Sequence, residues 1–240
     1  MGIDYTKRPA QSAAPTPPAV ATLKPQPPAS TGAQAPTSRV ILTKAAPTVS
    51  LTKHGSARGT MRVNLNWNAR APQEGRGLFK RLAPALDLDL GCLYEFADGT
   101  RGVVQALGNS FTARPRGVSE DVIWLDGDDR SGANSAGENL FINLAHADKI
   151  KRVMVFALIY EGAANWAAAD GVVTLFPAAG PQIEVRLDDS RDGARICGIA
   201  MLESNGGDLS VRREVKYLNG GQRVLDEAYG WGMNWTPGRK

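Results

Sequence analysis

From Leu86 to Phe96 the chain alternates in character. Leu86, Leu88, Leu90, Cys92, Tyr94 and Phe96 share one parity, and Asp87, Asp89, Gly91, Leu93 and Glu95 the other. A period of two is that of a half-buried strand. It places Asp87 and Asp89 on one face, roughly 7 Å apart. Short runs rich in β-branched residues, bounded by Gly, Pro, Asn or Asp, recur at 40–44, 49–53, 61–66, 102–107, 121–125, 140–144, 153–160, 172–176, 183–187, 195–203 and 209–217. Only 145–152 and 222–229 read as helical turns. Many short strands with polar turns predict an all-β fold, a two-sheet antiparallel β-sandwich whose loops gather at its ends.

Residues 1–38 break this pattern. They are Pro, Ala, Ser, Thr and Gln, with runs such as Ala14-Pro15-Thr16-Pro17-Pro18 and Lys24-Pro25-Gln26-Pro27-Pro28. Such a segment has too little apolar surface to offset its ordering entropy, so a disordered Pro/Ala-rich tether is expected, followed by one domain over 39–240. The net charge of +4 belongs to the same end: through Pro47 there are five basic side chains and one acidic, and the remainder balances at 23 of each. The domain is therefore not a nucleic-acid surface by composition. No stretch approaches the length of a membrane span and no signal sequence opens the chain, so a cytoplasmic protein is expected. Cys92 and Cys197 lie in apolar runs and read as buried, reduced thiols.

The acidic stretch Leu125-Asp126-Gly127-Asp128-Asp129-Arg130-Ser131-Gly132-Ala133-Asn134-Ser135-Ala136-Gly137-Glu138-Asn139 offers only oxygen ligands, the type that hard divalent cations take. It is not a helix-loop-helix calcium hand. Counted from Asp126, position five is Arg130, the obligatory Gly of position six is Ser131, and the bidentate Glu of position twelve falls on Gly137. A calcium site shared with Asp87 and Asp89 is one reading, and an ordinary polar turn is the other, since the same residues build turns. Two rival functions remain open. A metal-dependent hydrolase would need a base such as His146 or Glu161 beside the ion, and a calcium-dependent sugar-binding sandwich would need an exposed Trp. Trp124 and Trp166 read as core. Tyr229, Trp231 and Trp235 read as a final strand covering the sandwich, or as a docking surface.

With these residues in view, the chain resembles the TerD-type tellurium-resistance and bacterial stress-protein family, in particular its TerA branch. The carriers are the near-repeat Val40-Ile41-Leu42-Thr43-Lys44 and Val49-Ser50-Leu51-Thr52-Lys53, the strand Val63-Asn64-Leu65-Asn66-Trp67-Asn68, Asp87-Leu88-Asp89, and Gly127-Asp128-Asp129-Arg130-Ser131-Gly132. Two apolar runs, 140–144 and 153–160, follow in order. The resemblance implies a non-enzymatic β-sandwich holding two Ca²⁺ ions, within a cytoplasmic stress-response complex that meets the membrane through its partners. Carried over by position, the ligands are Asp87, Asp89, Asp128, Asp129, Gly132 through its carbonyl, Asn134 and Glu138. The chain departs from the family where Ala136-Gly137-Glu138 replaces a more acidic run and where Asn68 stands for an Asp. Fewer anionic ligands reduce the expectation from two ions to one.

Overall fold

The two near-repeats at the start of the sandwich part company: β1 (Arg39–Ile41) joins one sheet and β2 (Thr48–Ser50) the other. A turn held by Thr43 N–H to Ala46 O and Ala46 N–H to Thr43 Oγ1 carries the chain across, and Leu42 and Leu51 are buried on either side of it. The computed structural model describes residues 39–51, 58–67, 86–127, 137–163, 165–205 and 208–236, all within the unit Pro36–Lys240. The predicted tether over 1–38 lies outside the described residues.

The remaining strands are β3 (Thr60–Asn66), β4 (Asp87–Phe96), β5 (Arg101–Val104), β6 (Thr112–Ala113), β7 (Ile123–Leu125), β8 (Glu138–Asn143), β9 (Ile150–Glu161), β10 (Gly171–Phe176), β11 (Gln182–Leu187), β12 (Ile196–Asn205) and β13 (Asp208–Leu218). Among the described residues they form a seven-stranded sheet, β1-β11-β10-β3-β8-β7-β6, and a six-stranded sheet, β2-β13-β12-β9-β4-β5. The all-β sandwich is as the pattern predicts, with one correction: β1 pairs parallel with β11, so the larger sheet is mixed. A two-residue hairpin cannot join parallel neighbours, and here β2 to β10 intervene between them. Val63 and Leu65 of β3 meet Leu88, Leu90 and Cys92 of β4 in the shared apolar layer between the sheets.

The smaller sheet has a second apolar layer on its outer face, which corrects the half-buried reading of β4. Leu93, Met154, Phe156, Ile196 and Met201 pack beneath Leu225 of α2 (Gln222–Tyr229) and Trp231. The helix approaches closely because Gly198 has no side chain; a Cβ there would lie 3.0 Å from Leu225 Cδ1. The chain after α2 is irregular, so the aromatic tail covers the sandwich without forming a final strand. Gly230, at φ 62°, ends the helix in the left-handed conformation, and Trp231 is buried with its indole N–H on Tyr94 O at 3.0 Å.

Two charged groups fasten this cap. Arg152 lies 3.8 Å from the Trp231 ring centroid and donates to Tyr229 O, Gly230 O and Glu95 Oε2. Lys151 takes the other Glu95 oxygen at 2.8 Å. Burial pushes the Glu95 carboxyl up, but the hydrogen bonds from Lys151 and Arg152 outweigh it and hold the group below its ordinary value. The buried Asp226 carboxylate accepts from Gly232 N–H, Met233 N–H and the Trp235 indole at 2.7, 2.9 and 2.7 Å.

Smaller differences from the sequence reading have local causes. A 3₁₀ turn occupies Leu144–Lys149, capped by the Asn143 side chain on Ala145 N–H, so β9 begins at Ile150 inside the predicted helical stretch. The four-residue α1 (Trp166–Ala169) was not signalled; Asn165 caps it at Ala168 N–H, 2.9 Å. Trp166 is core as expected, whereas Trp124 is half-buried on the outer face of the larger sheet, stacked on Phe141 at 5.3 Å. Cys92 and Cys197 are free and buried, and desolvation pushes both thiols well above their ordinary range. Among the described residues no helix is long and apolar enough to cross a membrane.

Candidate metal centre

Leu88 and Leu90 face the layer between the sheets, so Asp87 and Asp89 occupy the opposite face at the first residues of β4. That face is not solvent. Asp87 and Asp89 are 6% and 4% exposed, and Glu138 at the start of β8 is 3% exposed. Burying three carboxylates carries a large desolvation cost unless cations or hydrogen-bond donors answer them.

Glu138 shares its face with Leu140 and Ile142, and its side chain therefore enters the space between the sheets. There Oε2 accepts the backbone N–H of Leu90 at 2.6 Å. The local topology calls for such an acceptor: β5 pairs with β4 only from Cys92 to Glu95, so among the described residues the first residues of β4 have no strand on that side. One carboxylate of the larger sheet thus reaches the backbone next to Asp89 in the smaller one.

The 128–136 loop leaves β7 and returns at β8, and its base is stapled by side chains. Asp126 N–H donates to Asn139 O at 3.1 Å, Asn139 Nδ2 donates to Asp126 Oδ2 at 2.8 Å, and Arg62 and Asn64 each donate to Asn139 Oδ1 at 3.0 Å. Gly137 makes the re-entry possible. At φ 70° a Cβ would lie 2.1 Å from Leu65 O, so no other residue fits. The start of β4 is fixed in turn by Trp67, whose indole N–H donates to Leu86 O at 3.2 Å.

Of the seven predicted ligands, the structure describes Asp87, Asp89 and Glu138: the Glu138–Leu90 hydrogen bond joins the start of β8 to the start of β4, with Glu138 between the sheets and Asp87 and Asp89 on the other face of β4. Asp128, Asp129, Gly132 and Asn134 lie outside the described residues. The described His, Cys, Asp and Glu side chains alone contain no group of three placed to hold a metal ion. Closure of a site here would depend on the loop. The donor chemistry suits a hard cation, since three buried carboxyl groups and the residue types of 128–136 offer oxygen donors.

Sequence reasoning missed three positioning groups, Asp126, Asn139 and Trp67. Asp126 was visible as an acid, but its pairing with Asn139 follows from the β7–β8 register, which a lone acidic loop does not announce. Glu161 stands directly opposite Asp87 across the β4–β9 ladder, where Tyr160 forms an extra residue in β9. Arg195 braces that irregularity by donating to Ile159 O and Tyr160 O. His146, the other base considered for hydrolysis, precedes the far end of this twelve-residue strand and contacts Glu120 at 2.5 Å. A strand of that length spans roughly 35 Å, so His146 and Glu161 share no site.

This geometry defines a two-sheet sandwich with buried acids at the start of an Asp-x-Asp strand and at the start of the strand that follows Gly137. No family model matches the chain. The tellurium resistance protein TerA of Alcaligenes sp. is 41% identical over 205 residues, covering 85% of this chain; the chain spans 59% of that protein's length. Two solved structures share the fold. One is SAV2460, a protein of unknown function, with a TM-score of 0.52 and 16% identity over 70% of this chain and 95% of that one. The other is a homologue of the telluride resistance protein TerD from Streptomyces coelicolor A3(2), with a TM-score of 0.50 and 20% identity over the same shares. The chain is a relative of the tellurium-resistance proteins, as its motifs implied.

Proposed function

We propose that this chain is a non-enzymatic calcium-binding module of a cytoplasmic tellurium-resistance and stress-response assembly. Ca²⁺ joins Asp87, Asp89 and Glu138 to the loop ligands Asp128, Asp129, Asn134 and the Gly132 carbonyl, with one ion expected and a second site weakened by the missing carboxylates. The observation that supports this reading is that Glu138, which follows the Gly-bounded segment, is buried with its carboxylate on the Leu90 N–H, next in the chain to buried Asp89 of the Asp-x-Asp strand. Neutralising these acids orders the loop, and the ordered loop is the surface on which a partner protein docks. Membrane contact would come through those partners. The Pro/Ala-rich residues 1–38 tether the module without fixing its orientation.

Calorimetric titration with Ca²⁺ tests the ligand set. The parent protein releases or takes up heat on binding; the double variant Asp87→Asn, Asp128→Asn, which preserves shape but removes two anionic oxygens, loses the site. Asp208→Asn, outside the constellation, retains it. Parent-like binding by the double variant would refute the assignment.

A further inference from the structure

A second feature lies away from these acids, where the C-terminal cap meets the free edge of β5. A groove of about 530 Å³ is lined by Arg101, Ser110, Met233 and Trp235, and by Gln105 and Gln222, which are joined by a hydrogen bond from Gln222 Nε2 to Gln105 Oε1 at 2.8 Å. Its volume falls in the range of small-ligand pockets and would hold an inorganic oxyanion many times over.

The groove's electrostatics are one-sided. Arg101 is the only charged residue among its described lining groups. The Arg101 guanidinium makes one hydrogen bond, Nη1 to Trp231 O at 2.6 Å, and has no carboxylate partner among the described residues. The acid across the ladder from it, Glu95, is already taken by Lys151 and Arg152. The Asp226 carboxylate lines a neighbouring groove and is held by two backbone N–H groups and the Trp235 indole. With its N–H so engaged, half-buried Trp235 presents ring surface rather than a donor, and Met233 lies beside it.

An added strand does not fit here. Ser110 Oγ already donates to Val103 O at 2.7 Å and Gln105 N–H donates to Ser110 O at 2.9 Å, so little of the edge backbone is left to pair. We propose that the groove binds a small organic carboxylate, its anionic oxygens taken by Arg101 and its apolar or aromatic body lying against Met233 and Trp235. A guanidinium with spare fork donors is the natural receptor for a carboxylate, and an aromatic face with a thioether beside it suits a planar body. The site is independent of the calcium reading, since none of Asp87, Asp89 and Glu138 lines it.

The test is titration of the ¹⁵N-labelled full chain with indole-3-acetate, its neutral analogue indole-3-acetamide, and inorganic phosphate, followed by amide and indole N–H shifts. The acid is expected to shift Arg101, Ser110, Gly232 and the Trp235 indole in a saturable manner. The amide should bind about tenfold weaker or worse, the loss expected of one charge-assisted hydrogen bond. Arg101→Gln should weaken the acid to the level of the amide. Because that change also frees Trp231 O, Asn234→Asp serves as the second variant: it sets a negative charge in the groove, leaves the Arg101 anchor in place, and should abolish binding of the acid. Equal binding of acid and amide, no saturable shifts with either, parent-like binding by Asn234→Asp, or displacement of the acid by equimolar phosphate would each overturn the proposal.

Discussion

Glu138 Oε2 lies 2.6 Å from the backbone nitrogen of Leu90, so a carboxylate from one sheet takes the place that a neighbouring strand would fill in the other. The same contact brings the re-entry of the 128–136 loop against the Asp-x-Asp start of β4. Fold and candidate site are therefore joined at one hydrogen bond.

Glu138→Ala should destabilise the metal-free protein by about 1–3 kcal/mol, because it leaves the buried Leu90 N–H without an acceptor. Glu138→Gln keeps an acceptor and should cost less in chelator, yet lose as much of any Ca²⁺-dependent stabilisation. Urea unfolding of both variants with and without Ca²⁺ checks the separation. Equal losses in chelator would mean that the hydrogen bond contributes little.

Asp226→Asn should loosen the C-terminal cap, since one carboxylate organises Gly232, Met233 and Trp235. A loss of about 1.5–3 kcal/mol is expected, the range for hydrogen bonds to a charged group. Limited proteolysis should cleave the variant after α2 before it cleaves the parent. Unchanged cleavage there would contradict the anchoring role.

Glu95 gives the cap a dependence on acid. Its folded-state value lies below the ordinary 4.5, so its stabilisation is fully present above that value and is lost as pH falls through the folded value. Denaturant midpoints of the parent should fall more steeply on the acid side of 4.5 than those of Glu95→Gln. Parallel profiles would show that the Lys151 and Arg152 contacts do not shift the group.

Neither thiol should react in the native state. Cys92 and Cys197 are buried and their ionisation is strongly disfavoured, so a colourless-to-yellow aromatic disulfide reagent should label both only after unfolding. Rapid stoichiometric labelling of the folded protein would place at least one thiol at the surface.

Much of the sandwich is legible in the sequence because alternation is a local signal. The strands at β3, β4, β9, β10 and β11, and the helix at 222–229, follow from period and bounding residues alone. What lay beyond local pattern was pairing. The near-repeats at Val40 and Val49 have similar sequences, yet they fall in opposite sheets, a pairing that their local pattern does not encode. The outer burial of β4 depends on α2 and Trp231, more than a hundred residues later. In the site, the acids Asp87, Asp89 and Glu138 were visible by type, whereas the partnership of Glu138 with Leu90 and of Asp126 with Asn139 needed the register of strands in two sheets. Trp124 read as core for its apolar neighbours, but parity puts it outside with Phe141.

The most direct test of the calcium account is the thermal unfolding of the full chain in excess chelator, in Ca²⁺ and in Mg²⁺. Ligand present at about a hundred times its dissociation constant stabilises a native state by roughly 2.7 kcal/mol, or roughly 5–10 °C for a domain of this size. The account predicts a rise of that order with Ca²⁺, a smaller one with Mg²⁺, and loss of the Ca²⁺ increment in the Asp87→Asn, Asp128→Asn variant. Identical melting in Ca²⁺ and chelator, with no heat of Ca²⁺ binding, would contradict it.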